Sequence, residues 1–144
     1  MDRKAGVLAI DHGTKRAGFA VVDALRIAAR ALEGWRGKGD GEELLDHVAR
    51  LLEDRDVSVL LVGLPISMDG SEGPRAADVR AFASRLAARF PGCDVVLHDE
   101  RLTTKTAEEM LREMGAGIEE LRARKDSFSA LVLLRDWIAA GEPR

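Results

Sequence analysis

Asp11 stands at the end of the apolar run Val7-Leu8-Ala9-Ile10 and is followed at once by His12-Gly13-Thr14-Lys15-Arg16. An apolar strand would deliver one carboxylate to its tip, and a glycine turn carrying a hydroxyl and two cations would come next. A carboxylate is a hard oxygen ligand suited to Mg²⁺, glycine lets the backbone approach a phosphate, and Lys15 and Arg16 can neutralise one. The combination suits metal-assisted phosphate chemistry. The same residues would also serve as a β-hairpin with a charged, solvated turn.

Two later acids bear on that choice. Glu100 follows the apolar run Val95-Val96-Leu97, just past an expected strand end and before a helix opened by Thr103 or Thr104. Asp126 precedes Ser127-Phe128-Ser129-Ala130-Leu131-Val132-Leu133-Leu134, the most apolar helical stretch of the chain, and shares a face with Ala130 and Leu134 at i+4 and i+8. A carboxylate on a buried stripe costs several kcal/mol unless it is compensated, and a cation shared with Asp11 and Glu100 would compensate it. Purely structural roles are equally consistent: Asp126 as an N-cap, Glu100 as a first-turn acid favoured by the helix dipole.

Basic residues lie beside each acid. Lys15 and Arg16 follow Asp11, Arg101 and Lys105 flank Glu100, and Arg122, Arg124 and Lys125 precede Asp126. Such cations can hold backbone phosphates, or can simply make surface ion pairs in a chain that is 33% charged. The net charge of −3 argues against a plain duplex-binding domain, yet two Mg²⁺ ions would change the sign, since −3 + 4 = +1. Cys93 is the only cysteine, which excludes an internal disulfide, and the three histidines show no zinc-ligand spacing. The sequence contains neither a membrane-spanning run nor a signal-peptide pattern, so a cytoplasmic protein is expected.

The elements that must position these residues follow from patterning. Strands are expected over 5–11, 17–23 and 26–32, the first two joined by the Gly13 turn, and then a flexible glycine-rich connection over 34–41. A helix over 42–54, a near-continuously apolar strand over 57–63, a polar loop to residue 74 and a helix over 76–90 come next. A strand over 94–98, a helix over 104–114 and a C-terminal helical region complete the order βββαβαβαα. Right-handed crossovers then give an α/β mixed five-stranded sheet of order 3-2-1-4-5, with strand 2 antiparallel and helices on both faces. At 144 residues, with no repeat or linker, one domain over 1–144 is expected.

With these segments placed, the chain resembles the YqgF family, also called RuvX: RNase H-like proteins described as Holliday-junction resolvases or pre-16S ribosomal RNA nucleases. The resemblance spans nearly the whole chain. It is carried by residues 10–18 (Ile-Asp-His-Gly-Thr-Lys-Arg-Ala-Gly), by 62–73 from Val62 to Gly73, by 99–104 from Asp99 to Thr104, and by Lys125-Asp126-Ser127. It implies an RNase H-like fold and an acidic catalytic and metal-binding triad of Asp11, Glu100 and Asp126, the residues already selected on chemical grounds. Two Mg²⁺ or Mn²⁺ ions held there would activate water and stabilise the leaving 3′-oxygen. Lys15, Arg16 and Arg101 would grip adjacent phosphates, and the loop from Asp69 to Pro74 would either close over the strand or remain a disordered connection.

The expected function is therefore a metal-dependent nuclease acting on structured nucleic acid, with precursor 16S ribosomal RNA processing favoured over junction resolution. A junction resolvase would be expected to act as a homodimer. Family members commonly carry an aromatic residue at the position of His12, and an alanine pair where this chain has Ser129-Ala130. His12 adjoins Asp11 but should point to the opposite face of the strand. Two other classes compete. Asp11-His12-Gly13-Thr14 also looks like the phosphate loop of actin-like and sugar-kinase ATP-binding proteins, but those place the nucleotide between two related domains. A non-catalytic nucleic-acid-binding factor in ribosome maturation would bind without cleaving.

Overall fold

The computed structural model describes residues 5–37, 41–100 and 125–144, with Lys125 and Asp126 described in their backbone only. Its elements are β1 (Gly6–His12), β2 (Arg16–Val22), β3 (Arg30–Ala31), β4 (Trp35–Arg36), α1 (Glu42–Leu52), β5 (Val57–Leu64), α2 (Pro74–Arg89), β6 (Asp94–Asp99) and α3 (Lys125–Ala139). The sheet order is β3-β2-β1-β5-β6, with β4 also pairing β2. β2 runs antiparallel to β1, whereas β1, β5 and β6 are parallel. This is the expected RNase H-like order, extended by one short strand.

Strand alternation divides the core into two layers. Leu8 and Ile10 of β1, and Leu60 and Val62 of β5, pack with Leu44, Leu45 and Val48 of α1 and with Val79, Phe82 and Leu86 of α2. Val7, Ala9, Val59 and Leu61 pack on the opposite face with Leu131, Leu134 and Trp137 of α3. β5 is apolar on both faces because helices cover both, as parallel strands require. α3 is tied to the sheet at both ends: the Phe19 backbone N–H donates to Ser127 Oγ at 2.9 Å, and His98 meets Asp136 at 2.7 Å.

Two expectations near the sheet edge are corrected. The third strand is not 26–32 but Arg30–Ala31 alone. The Ile27 N–H turns back to Asp23 Oδ1 at 2.9 Å and Arg26 takes φ 61°, so residues 23–29 leave the ladder as a turn. The glycine-rich connection is not wholly irregular either. Trp35 and Arg36 pair with Ala17 and Arg16 of β2 as β4, and Trp35 buries its ring in the core. The expected helix over 104–114 lies outside the described residues.

Candidate metal and nucleic-acid site

The register of the parallel strands brings their carboxyl ends level. Ile10 pairs with Val62, Gly63 with His98 and Leu64 with Asp99, so Asp11 reaches the same edge as Gly63. Val96 belongs to the α3 layer and His98 meets α3, so Glu100, two residues further on, belongs to that face as well. Asp11 falls on it too, in step with Val7 and Ala9. The Glu100 backbone N–H donates to the Leu64 carbonyl at 3.3 Å, which anchors the residue just past the strand end.

Gly63 makes the arrangement feasible. A Cβ at that position would collide with Glu100 Oε2 and lie 3.3 Å from Leu133 Cδ2. The Glu100 carboxylate thus occupies the space a side chain would fill. Burial first, and then the charges of Asp11 and Asp99, push the Glu100 carboxyl up to about 7, while Arg75 acts in the opposite direction. Two acids set together at this cost fit a hard divalent cation, which would remove their mutual repulsion and accept their oxygens as ligands. Asp126 has helical backbone within α3, which does not suit the non-helical N-cap position, and its side chain lies outside the described residues. Among the described residues, no group of three His, Cys, Asp or Glu side chains is assembled to hold a metal.

A depression of about 430 Å³ opens beside Asp11, lined also by His12, Gly13, Arg16, Arg75 and Ser129. A second, of about 450 Å³, adjoins it and is lined by Gly13, Thr14, Lys15, Arg16, Arg36 and Arg75. Four cations therefore border a groove leading away from the acids, a natural bed for a phosphate backbone. The turn beneath it is tight, since a Cβ on Gly13 would sit 2.5 Å from the Arg16 carbonyl oxygen. Lys15 and Arg16 stand where the sequence suggested, while Arg101 lies outside the described residues.

Arg75 and Arg36 escaped the sequence reading. Arg75 Nη2 donates to the His12 carbonyl at 2.6 Å and so bridges α2 to the end of β1. A signal for it was present: Pro74 at the first helical position marks the start of α2, which puts Arg75 in the first turn beside the strand ends. Arg36 reaches the groove only through the two-residue strand β4, opposite Arg16. His12 points away from the acids as expected. Its ring stacks on Phe82 at 4.5 Å, and burial followed by the charge of Arg75 holds its pKa below the ordinary imidazole value. Its Nδ1 is shielded and has no hydrogen-bond partner among the described residues, a condition costing about 1–3 kcal/mol.

The loop before α2 is internally bonded. Ser71 donates to Asp69 Oδ1 from both its backbone N–H at 2.9 Å and its hydroxyl at 2.6 Å, and Arg80 grips Glu72 at 2.6 and 2.8 Å. These bonds lie within the exposed segment between β5 and α2 or tie it to α2. Among the described residues, no helix is long and apolar enough to cross a membrane.

A family model described as "RuvX: Holliday junction resolvase" matches residues 5–140. A relative from Halalkalibacterium halodurans described as "Putative pre-16S rRNA nuclease" is 38% identical over 133 residues, covering 91% of this chain and 94% of its own. One from Anaeromyxobacter sp. (strain Fw109-5), described in the same words, is 44% identical over 131 residues, with 91% and 94% covered. The solved structure of Thermus thermophilus RuvC in complex with Holliday junction substrate superposes with a TM-score of 0.60 over 96% of this chain and 97% of that one. At 18% identity that likeness speaks for the fold.

Proposed function

Because the chain belongs to the RuvX family, we propose that it is a metal-dependent nuclease that hydrolyses phosphodiester bonds in structured nucleic acid, processing the 5′ end of precursor 16S ribosomal RNA. The observation that carries the reading is the juxtaposition at the strand ends. Glu100, with its carboxyl pushed up to about 7, lies over Gly63 under the influence of Asp11, and a cationic groove opens alongside. The naming of the relatives as pre-16S ribosomal RNA nucleases supports the choice of substrate.

In this reading one domain carries the whole site. Asp11, Glu100 and Asp126 are the catalytic carboxylates and hold Mg²⁺ or Mn²⁺. When bound, such ions supply water activation and charge stabilisation on the leaving oxygen. The protein's own contribution is positional. Asp11 is fixed by its pairing with Gly18 of β2, one residue past the last β1–β5 pair, Ile10 with Val62, and Glu100 by its bond to the Leu64 carbonyl and by the space above Gly63. Lys15, Arg16, Arg36 and Arg75 line up the flanking phosphates, with Arg101 as a further contact. Arg75 also sets the end of β1 through the His12 carbonyl. Asp11 and Glu100 share the sheet face that carries α3, so the phosphate to be cut would cross the strand ends there.

The description of the family as Holliday junction resolvases favours a second reading, in which a homodimer cuts two strands of a four-way DNA junction. Both readings predict metal-dependent cleavage, and a non-catalytic binding factor predicts none. Cleavage of precursor 16S ribosomal RNA and of four-way junction DNA should be compared under Mg²⁺ and under Mn²⁺. Trimming of the RNA end at lower enzyme concentration than any junction cleavage is the expected result. Symmetric, ligatable nicks in the junction at the lower concentration would replace the RNA reading with the resolvase.

A further inference from the structure

The turn between β2 and β3 is built inside out. Arg26 has its side chain only 11% exposed and holds Glu142 and the Ala5 carbonyl, whereas its neighbours Leu25 and Ile27 are 77% and 76% exposed. A chain that stayed alone would gain from the opposite placement, since a charge is costly to bury and an apolar side chain is costly to leave in water. The inverted state is held in place. Arg26 takes the left-handed φ of 61°, its Nη1 also donates to the Asp23 carbonyl at 3.2 Å, and the Ile27 N–H donates to Asp23 Oδ1 at 2.9 Å. Backbone strain maintained so that two large apolar side chains face outward points to a partner surface.

What lies beside these side chains says which partner. Ala24 and Ala28 of the same turn line a hollow of about 550 Å³ at the amino end of the parallel strands, together with valines of β2 and β5. Projecting apolar side chains and an apolar hollow are thus adjacent on one face. That is the requirement for a two-fold contact in which each copy's projections enter the other's hollow. The charges agree, because the hollow is also lined by two arginines and two aspartates. A two-fold rotation can set aspartate against arginine, whereas a nucleic acid or a strongly basic peptide would meet as much repulsion as attraction. The turn runs into β3, which ends the sheet order on this side, so the edge beside it is open.

We propose that a second copy of this chain docks on this face, forming a symmetric dimer in which Leu25 and Ile27 of each copy fill the hollow of the other. A standard interface covers about 800 Å² of each partner, so the walls of the hollow and the β3 edge are covered along with the two side chains. The contact lies at the end of the sheet opposite Asp11 and Glu100. The acids and the cationic groove of both copies therefore stay open to substrate, and neither copy lends a residue to the other's acids. The inference stands on the turn and the hollow alone and does not depend on the nuclease reading.

The test is sedimentation equilibrium of the full chain, where the wild type should associate reversibly to a dimer between about 1 and 100 μM. Leu25→Asp combined with Ile27→Asp should raise the dimer dissociation constant at least about 100-fold, the scale of losing two apolar anchors and placing charges at their sites. Both positions are exposed, so the fold is not at stake, and unchanged thermal melting of the dilute protein checks this. Met68→Asp is the control. It replaces the third large apolar side chain that is exposed among the described residues, in the segment after β5 at the other end of the sheet, and should leave the constant unchanged. A wild type that stays monomeric throughout, or a dimer that the double substitution leaves intact, would overturn the proposal. Dissociation by Met68→Asp alone would place the interface at the opposite end and overturn it equally.

Discussion

The two ends of the sheet handle buried charge in opposite ways. At the carboxyl end of the parallel strands, Asp11 and Glu100 are set together as like charges, and Glu100 is pushed up to about 7. At the other end, Arg26 and Glu142 form a two-pronged ion pair, Nε to Oε2 and Nη2 to Oε1, both at 3.1 Å. Arg26 also donates to the Ala5 carbonyl at 2.6 Å, so the pair ties the turn after β2 to the start of β1 and to the chain end beyond α3. Arg26 (φ 61°) and Glu142 (φ 56°) are the only non-glycine residues with positive φ among the described ones, and they are each other's partner. A left-handed backbone costs about 1–2 kcal/mol per residue, which the paired, largely buried charges offset. One end thus stores repulsion that a ligand could relieve, and the other spends strain on a closed contact.

Substitution of Asp11 should have the strongest consequence for activity. Asp11→Asn should lower metal-dependent cleavage by at least about 100-fold, the scale of losing one preorganised electrostatic group, while leaving the metal-free protein as stable as before or more so. Cleavage rates and thermal melting of the same preparation check both halves. Glu142→Gln should do the reverse. Breaking a largely buried pair from one side costs about 3 kcal/mol, seen as a lower urea midpoint, with cleavage unchanged once the protein is folded.

Acidity sharpens the contrast. The folded chain holds the Glu100 proton up to about pH 7, whereas the unfolded chain releases it near the ordinary value of 4.5. The native state therefore binds more protons between these limits. Its stability contribution from Glu100 is present below about 4.5 and is lost as pH rises through 7. Urea midpoints of the metal-free protein should fall over this window, and Glu100→Gln should flatten the fall. Below pH 7 a cation must displace that proton, so Mg²⁺ should stabilise the protein more at pH 8 than at pH 6.

The smallest effect lies in the cationic groove. Lys15→Ala and Arg16→Ala should each flatten the logarithmic salt dependence of binding by about 0.7 for single strands or about 0.9 for duplex DNA. An unchanged slope would mean that these side chains only decorate a turn.

How much of this was legible depends on whether the signal was local. Apolar runs mark β1, β5 and β6, and the acids that follow the first and the last put Asp11 and Glu100 at strand ends, because alternation and strand length act over a few residues. The sheet order followed from crossover handedness, and Lys15 and Arg16 from adjacency to Asp11. Arg75 has no local signal linking it to the site, because it meets the His12 carbonyl from α2, which begins at Pro74, two residues before the expected start. Arg36 was missed because two residues of β4 form only by pairing with an existing β2. The Arg26 turn reads as strand in sequence, and its reason lies in Glu142, far away in the chain.

Asp11 and Glu100 are proposed to act together as metal ligands. Calorimetric titration of Mn²⁺ at pH 7.5 into the wild type, Asp11→Asn and Glu100→Gln tests it without any substrate. Saturable binding in the wild type, weakened at least about tenfold in each variant, about 1.4 kcal/mol per site lost, is the predicted result. Mn²⁺ affinity that both substitutions leave unchanged would contradict it.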